Sequence, residues 1–162
     1  MTAVHSLTTP EQARPRRDDD VTVDCGRAEA RAHWSPLATV LTISGDVDAN
    51  SVDRITACVA EVMLIANSFL LDLSGVDFFA APSISVLIAV DDARREAELP
   101  WAMVTSRSVD RVLRISGQAT LPTAGSVHDA MQYFAQLSRM LPGLRSACRE
   151  TRTLRGTSAG ST

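Results

Sequence analysis

The stretch "SFLLDLSGVDFFAAPSISVLIAV", residues 68–90, restricts the fold more than any other part of the chain. Its first part, "SFLLDLS", is apolar on both sides of an extended backbone, so a strand formed there is buried on both faces and lies inside a sheet. Ser74-Gly75 is expected to break that strand. After a short turn, "ISVLIAV" is apolar all round, as in a helix wedged against a sheet, and "DDARREAE" should carry the same helix out into solvent. Pro82, a residue favoured at the first helical position, marks where the helix starts. A buried strand followed at once by a covering helix is a building unit of α/β sheets. The turn between them is where such folds usually keep their chemistry. Yet Phe79, Ala80, Ala81 and Pro82 fill that turn, and none carries an acid, a base, a hydroxyl or a thiol.

The flanking sequence extends the same pattern. "VTVDCGRAEARAHW" and "LATVLTISGDV" read as two strands, and their closeness in sequence favours antiparallel pairing. In the second, Val40, Thr42 and Ser44 share one face and Leu41, Ile43 and Gly45 the other. Asp48, Asn50 and Ser51 offer N-caps to a helix. Its apolar stripe is Val52, Ile55, Val59, Met63 and Ala66, with Cys58 beside it. "WAMVTS" is a further strand. "RSVDRVLRISG" is a helix capped by Ser108 and stopped by Gly117. Val109, Val112 and Leu113 face inward there, while Arg107, Arg111 and Arg114 share an outer face with Asp110. "TLPTAGS" leaves room for a short last strand. Ser126 then caps a final helix bearing Val127, Ala130, Met131, Phe134 and Leu137 on one side, ended by Pro142-Gly143. The order ββ-α-β-α-β-α-(β)-α predicts one α/β domain, a short mixed sheet with about four helices packed against it.

Charge marks the domain limits. Residues 1–20 and 142–162 lack periodicity and read as disordered tails, the first acidic and the second basic, around a body at 21–141 with nine Arg and fourteen acids. The formal net charge of −3 argues against a nucleic-acid partner. No apolar run is long enough to span a membrane, and the N-terminus has no apolar signal segment. The three cysteines, Cys25, Cys58 and Cys148, form no CxxC pair, so free thiols in a reducing cytoplasm are expected; a redox switch between two of them stays open, as does a thiol enzyme using Cys58 or Cys25. His5, His33 and His128 are scattered and set up no metal site. No P-loop, GxGxxG or GxSxG elbow occurs. No cofactor, metal or catalytic residue is expected.

Several segments, in order, resemble the STAS domain, the fold of bacterial anti-sigma factor antagonists. "LTISGDVDANSVDRI" is similar to the family's strand-turn-helix segment, with Gly45, Asp46, Val47 and Asp48 at its Gly-acid-apolar-Asp turn. "DLSGVDFF" is similar to the strand before the regulatory site, "RSVDRVLRISG" to the third helix and "VHDAM" to the start of the last. The resemblance covers about residues 21–141. It implies a cytoplasmic, non-enzymatic protein that binds an anti-sigma factor of the serine-kinase type and so frees a sigma factor. A homodimer is left open. The family's Asp-Ser-Ser-Gly motif, whose first serine is phosphorylated by the partner kinase, aligns with Ala80, Ala81, Pro82 and Ser83. The resemblance therefore implies that Ala81 replaces the usual phosphorylation site. Ser83 is the nearest hydroxyl, with Ser85 beyond it. It reads as a first-turn serine bonded to backbone, or alternatively as a displaced phosphosite. The implied partner-binding surface comprises Asp46, Asp48, Phe79, Ala80, Ala81, Pro82 and Ser83. The alternative is a scaffold or assembly subunit of a stress-signalling or lipid-transport complex.

Overall fold

The computed structural model describes residues 20–141. The stretches expected to be tails, 1–20 and 142–162, lie outside the described residues except for Asp20. Six strands form one sheet: β1 (Val21–Asp24), β2 (Ala28–Trp34), β3 (Thr39–Val47), β4 (Phe69–Phe79), β5 (Trp101–Val104) and β6 (Thr123–Ala124). Four helices accompany them: α1 (Val52–Ile65), α2 (Ile84–Glu96), α3 (Arg107–Ile115) and α4 (Val127–Met140). The strands lie side by side in chain order. β1, β2 and β3 pair antiparallel, and β3 through β6 pair parallel.

That order dictates the layering. Three successive parallel crossovers, through α1, α2 and α3, all advance in the same direction across the sheet. Right-handed connections then place all three helices on one face. The larger core lies on that face, where Ile55, Val59, Val86, Leu87, Val109 and Leu113 pack with the inward residues of the strands. α4 comes last and covers the opposite face. There Ala130 and Phe134 pack on Ala38, Leu70, Ala102 and Val104. β4 has helices on both sides, as its apolar run requires; Phe69, Leu70, Leu71 and Leu73 are all buried.

The structure departs from the sequence reading in four places. "VTVDCGRAEARAHW" is not one strand but the hairpin β1–β2, turned at Gly26 with φ of +87°, where glycine carries no steric penalty. Ser74-Gly75 does not end β4. The strand absorbs two extra residues in its register against β3, between Asp72 and Gly75 and between Val76 and Phe78, and runs on to Phe79. α3 is capped by Ser106, whose Oγ accepts the Val109 N–H at 3.4 Å, rather than by Ser108. Finally, the charged half of α2 does not wholly emerge into solvent, because Arg94 is 2% exposed.

Arg94 joins three segments from inside. Its Nη1 donates to the carbonyl of Ala66 at 2.8 Å, and its Nη2 to those of Asn67 at 2.6 Å and Pro100 at 3.0 Å. Its guanidinium carbon stands 5.9 Å from the centre of the Phe69 ring. Ala66 is the C-cap of α1, so the cation occupies the negative end of that helix and binds carbonyls left free there. Burial pulls the Arg94 pKa down to about 10, still well above neutral, so the side chain stays charged. One turn away, Asp91 binds the indole Nε1 of Trp101 at 3.0 Å and pairs with Arg95. Arg94→Met would remove the guanidinium donors from the carbonyls of Ala66, Asn67 and Pro100, of which the last still accepts the Phe69 N–H. It should lower stability by about 3 kcal/mol, read from the urea midpoint, and Arg94→Lys should recover only part of this because an ammonium lacks the planar fork.

Candidate functional site

The parallel strands all end at the same edge of the sheet, and each hands over to a helix there. Three of the four turns there are Asp48–Ser51 after β3, Ala80–Ser83 after β4 and Thr105–Ser106 after β5; the fourth follows β6. Such an edge collects helix N-termini and their outward N–H groups. Hydrogen bonds tie the second turn to the end of β3 and the start of α3 to the end of β4. The N–H of Ala80 donates to the Val47 carbonyl at 2.8 Å, and the Ser108 hydroxyl donates to the Asp77 carbonyl at 2.6 Å.

The first turn is built by its own side chains. The Asp48 carboxylate accepts the N–H groups of Asn50 at 2.9 Å and Ser51 at 3.0 Å. Ser51 answers through Oγ, which accepts the Asp48 N–H and donates to the Asp46 carbonyl, each at 3.0 Å. The Ser51 N–H, followed by that of Asn50, holds the Asp48 carboxyl below the usual carboxylate range. A depressed carboxyl stabilises the fold above its unfolded pKa and loses that contribution as pH falls through the folded value. Asp48 is therefore committed to making the turn. Asp46 is tied by its backbone, its N–H donating to the Arg27 carbonyl at 2.9 Å. Gly45 makes that approach feasible. It has φ of +91°, and a Cβ there would stand 2.4 Å from the Arg27 carbonyl oxygen.

The second turn starts with a 3₁₀ segment, Ala81–Ser83, before α2 proper. Its N-cap is Ala80, which has no side chain able to cap. Ala81 and Pro82 are exposed, Ala80 is half-buried, and Phe78 is 53% exposed beside them. Two of the seven residues expected at the contact surface are buried. Phe79 is 6% exposed because it is the last inward residue of β4, opposite Val47. Ser83 is 2% exposed. It faces a small apolar cavity of about 10 Å³ lined with Ile43, Leu71, Phe79 and Val86. Asp46, Asp48, Ala80, Ala81 and Pro82 do share the edge, with Phe78 as the large apolar group among them. Arg107, Arg111 and Arg114 are exposed on α3 as expected. Among the described residues no group of three or more His, Cys, Asp or Glu is placed to hold a metal ion, and no helix is long and apolar enough to cross a membrane.

Comparison with known proteins places this arrangement. The STAS domain family model matches residues 29–130. Osmosensory protein A of Mycobacterium tuberculosis is 36% identical over 126 residues, covering 74% of this chain and 78% of that protein. The fold is similar to that of an anti-sigma factor antagonist from Mycobacterium paratuberculosis, with a TM-score of 0.61 at 18% identity, covering 71% of this chain and 99% of the other. It is also similar to the anti-sigma factor antagonist SpoIIAA in its unphosphorylated form, with a TM-score of 0.53 at 11% identity over 73% of this chain and 97% of that one. RsbS of Moorella thermoacetica, as a serine-to-glutamate variant, gives a TM-score of 0.52 at 15% identity over 76% and 99%.

The position of Ser83 has a direct consequence. Ser83→Ala should change stability by less than about 1 kcal/mol, whereas Ser83→Glu, which forces a carboxylate into an apolar cavity, should cost about 3 kcal/mol or more. Thermal unfolding of the two variants, compared with the same changes at exposed Ser85, checks this.

Proposed function

The chain belongs to the STAS domain family, and from that membership we propose that it is a non-enzymatic, protein-binding regulator, an anti-sigma factor antagonist that captures an anti-sigma factor of the serine-kinase type and so frees a sigma factor. The observation that carries this reading is the exposed start of α2. Phe78, Ala81 and Pro82 present compact apolar surface there, next to the acidic turn of Asp46 and Asp48. An apolar centre with a charged margin is the usual composition of a docking surface, and a standard interface needs only ~800 Å² from each partner. Two proteins that share the fold are named as anti-sigma factor antagonists, which supports this choice of role.

The surface works without the family's usual phosphoryl switch. A phosphoryl group adds roughly −1.5 to −2 charges. At a helix N-terminus the chain itself tolerates such charge, but a partner docked against the same spot meets new charge and bulk. The resemblance sets Ala81 in the place of the phosphorylated serine, and alanine accepts no phosphate. Ser83 is enclosed and Ser85 spends its hydroxyl on the Pro82 carbonyl at 3.0 Å. Control would then lie with the amount of protein or the state of the partner. The name Osmosensory protein A, borne by the 36% identical relative, suggests osmotic stress as the setting.

Calorimetry or pull-down with a panel of anti-sigma factors from the same cell tests the reading. One of them should bind. Ala81→Glu should weaken that complex by ~2 kcal/mol or more, about thirtyfold in Kd, with the fold intact because the site is exposed. Ala81→Ser should acquire phosphate at that position from the bound kinase and ATP, where the natural chain acquires none. Failure of every anti-sigma factor to bind would end this reading, and a large homomeric particle by light scattering would favour a scaffold role instead.

A further inference from the structure

Cys25 lies in the turn between β1 and β2, and Cys58 on the second turn of α1. The fold packs Cys58 against the core cluster that contains Cys25, near enough for each thiol to influence the other's protonation. The contact is held from both sides. Arg54, one helical turn before Cys58, donates Nη1 to the carbonyl of Asp24 at 3.4 Å, the residue just before Cys25. The Cys25 N–H donates to the Ala28 carbonyl at 2.9 Å, and its Sγ lies 3.8 Å from the Val23 carbonyl. Cys25 is 1% exposed within the core, whereas Cys58 is half-buried at its margin. An oxidant thus reaches one sulfur first and finds the second close behind it.

We propose that Cys25 and Cys58 form a reversible disulfide site, oxidised by peroxides and reduced by small thiols, which staples the β1–β2 turn to α1. The chemistry balances in two steps. The Cys58 thiolate attacks one peroxide oxygen and breaks the O–O bond, giving a sulfenic acid at Cys58 and, from hydrogen peroxide, one water once protons are counted. The Cys25 sulfur then attacks the sulfenic sulfur. The S–S bond forms, the S–O bond breaks, and the hydroxyl leaves with the Cys25 proton as a second water. Two thiols are oxidised and one peroxide is reduced. Two molecules of a small thiol reverse the bridge and leave as their own disulfide.

The surroundings make this a slow staple and not a fast thiol enzyme. Burial first, and then the neighbouring Cys25, push the Cys58 thiol up to about 11, with Glu61 on the same helix adding to the rise. Burial also raises Cys25, against the opposing influence of Cys58 and Arg54, while Asp24 adds to the rise. Only the thiolate is nucleophilic, so at neutral pH a small fraction reacts. The bridge would tie down the turn that carries Arg27, whose carbonyl holds the Asp46 N–H. Its effect on the docking face depends on that face binding a partner, whereas the bridge itself depends only on the two thiols.

The test uses the full chain with Cys148→Ser, reduced and then exposed to excess hydrogen peroxide. Intact mass should fall by two hydrogens, non-reducing peptide mapping should find Cys25 joined to Cys58, and dithiothreitol should restore both thiols. The oxidised form should melt roughly 5 °C higher. The oxidation rate should rise about tenfold per pH unit between pH 7 and 9, which follows from thiolate attack below the thiol pKa. In Cys25→Ser, Cys58 should lose its partner and proceed to sulfinic acid. Retention of both thiols, sulfinic acid at Cys58 with Cys25 present, or an intermolecular dimer would each overturn the proposal. If Cys25→Ser fails to fold, Cys58→Ser supplies the same control, and its buried Cys25 should then stay reduced.

Discussion

The parallel pairing of β3 with β4 is the constraint on which the rest of the molecule depends. β3 is where the sheet changes from antiparallel to parallel, and the first half of β4 is buried on both faces. Their register sets Asp46 opposite Phe78 and Val47 opposite Phe79. It therefore decides that the acidic turn and the apolar turn are neighbours. The same ladder explains two glycines. Gly75 meets the Ser44 side chain at a distance that leaves no space for a normal Cβ contact, and Gly45 admits the Arg27 carbonyl from β2's side. A side chain at Gly45 would collide with the Arg27 backbone, and one at Gly75 would crowd Ser44. The candidate surface is thus produced by backbone geometry in the middle of the sheet, not by the residues that line it.

Arg94 shows a different sort of dependence. A cation in an apolar interior is costly unless its donors are met, and here carbonyls rather than carboxylates meet both Nη groups, while the buried Nε has no hydrogen-bond partner. The gain is positional. One side chain on α2 fixes the end of α1, the entry to β4 and the entry to β5, so that two crossovers share a single anchor. With their far ends held, the near ends of α1 and α2 reach the sheet edge in a set relation, which the bond from Ala80 to the Val47 carbonyl completes.

Much of this was legible in the sequence, and the misses have physical causes. Long elements with strong periodicity were read correctly: α1, α4, the inward face of α3 and the apolar course of β4 all follow from side-chain spacing. Arg94 was missed because a charged residue amid Asp91, Asp92, Arg95 and Glu96 looks like its neighbours until the end of α1 is known to lie against it. β1 and β2 were merged because the Gly26 turn is short and the residues on each side alternate alike. At the site, taking Ser74-Gly75 as the end of a strand hid a regularity. Simple alternation carried onward from Phe69, Leu71 and Leu73 assigns Phe79 to the interior. The two extra residues in the register cancel in phase, so the structure agrees with that assignment and leaves Phe78 as the exposed aromatic. The contact between Cys25 and Cys58 left no signal in the sequence, because it joins a turn and a helix separated by the whole of β2 and β3.

The start of α2 is poorly made by the standards of helix energetics. Alanine is among the worst N-caps, and replacing a capping serine or aspartate by alanine typically costs about 1 kcal/mol. The chain nevertheless places Ala80 at the cap of the 3₁₀ turn that leads into α2, leaves Ser83 at the cap of α2 itself without a side-chain cap bond, and exposes Ala81, Pro82 and Phe78 nearby, whereas α3 and α4 are capped by serine hydroxyls. The difference is local, since α2 is otherwise well anchored by Val86, Leu87, Val90 and Arg94. An apolar, uncapped helix start gains nothing from water. It gains when another protein covers it, because contact then removes apolar area from solvent without stripping water from a charged cap. A partner that reads this end through apolar contact is insensitive to the loss of a hydroxyl at Ala81 and sensitive to any charge introduced there. That asymmetry is what the proposed docking surface, working without a phosphoryl switch, would require.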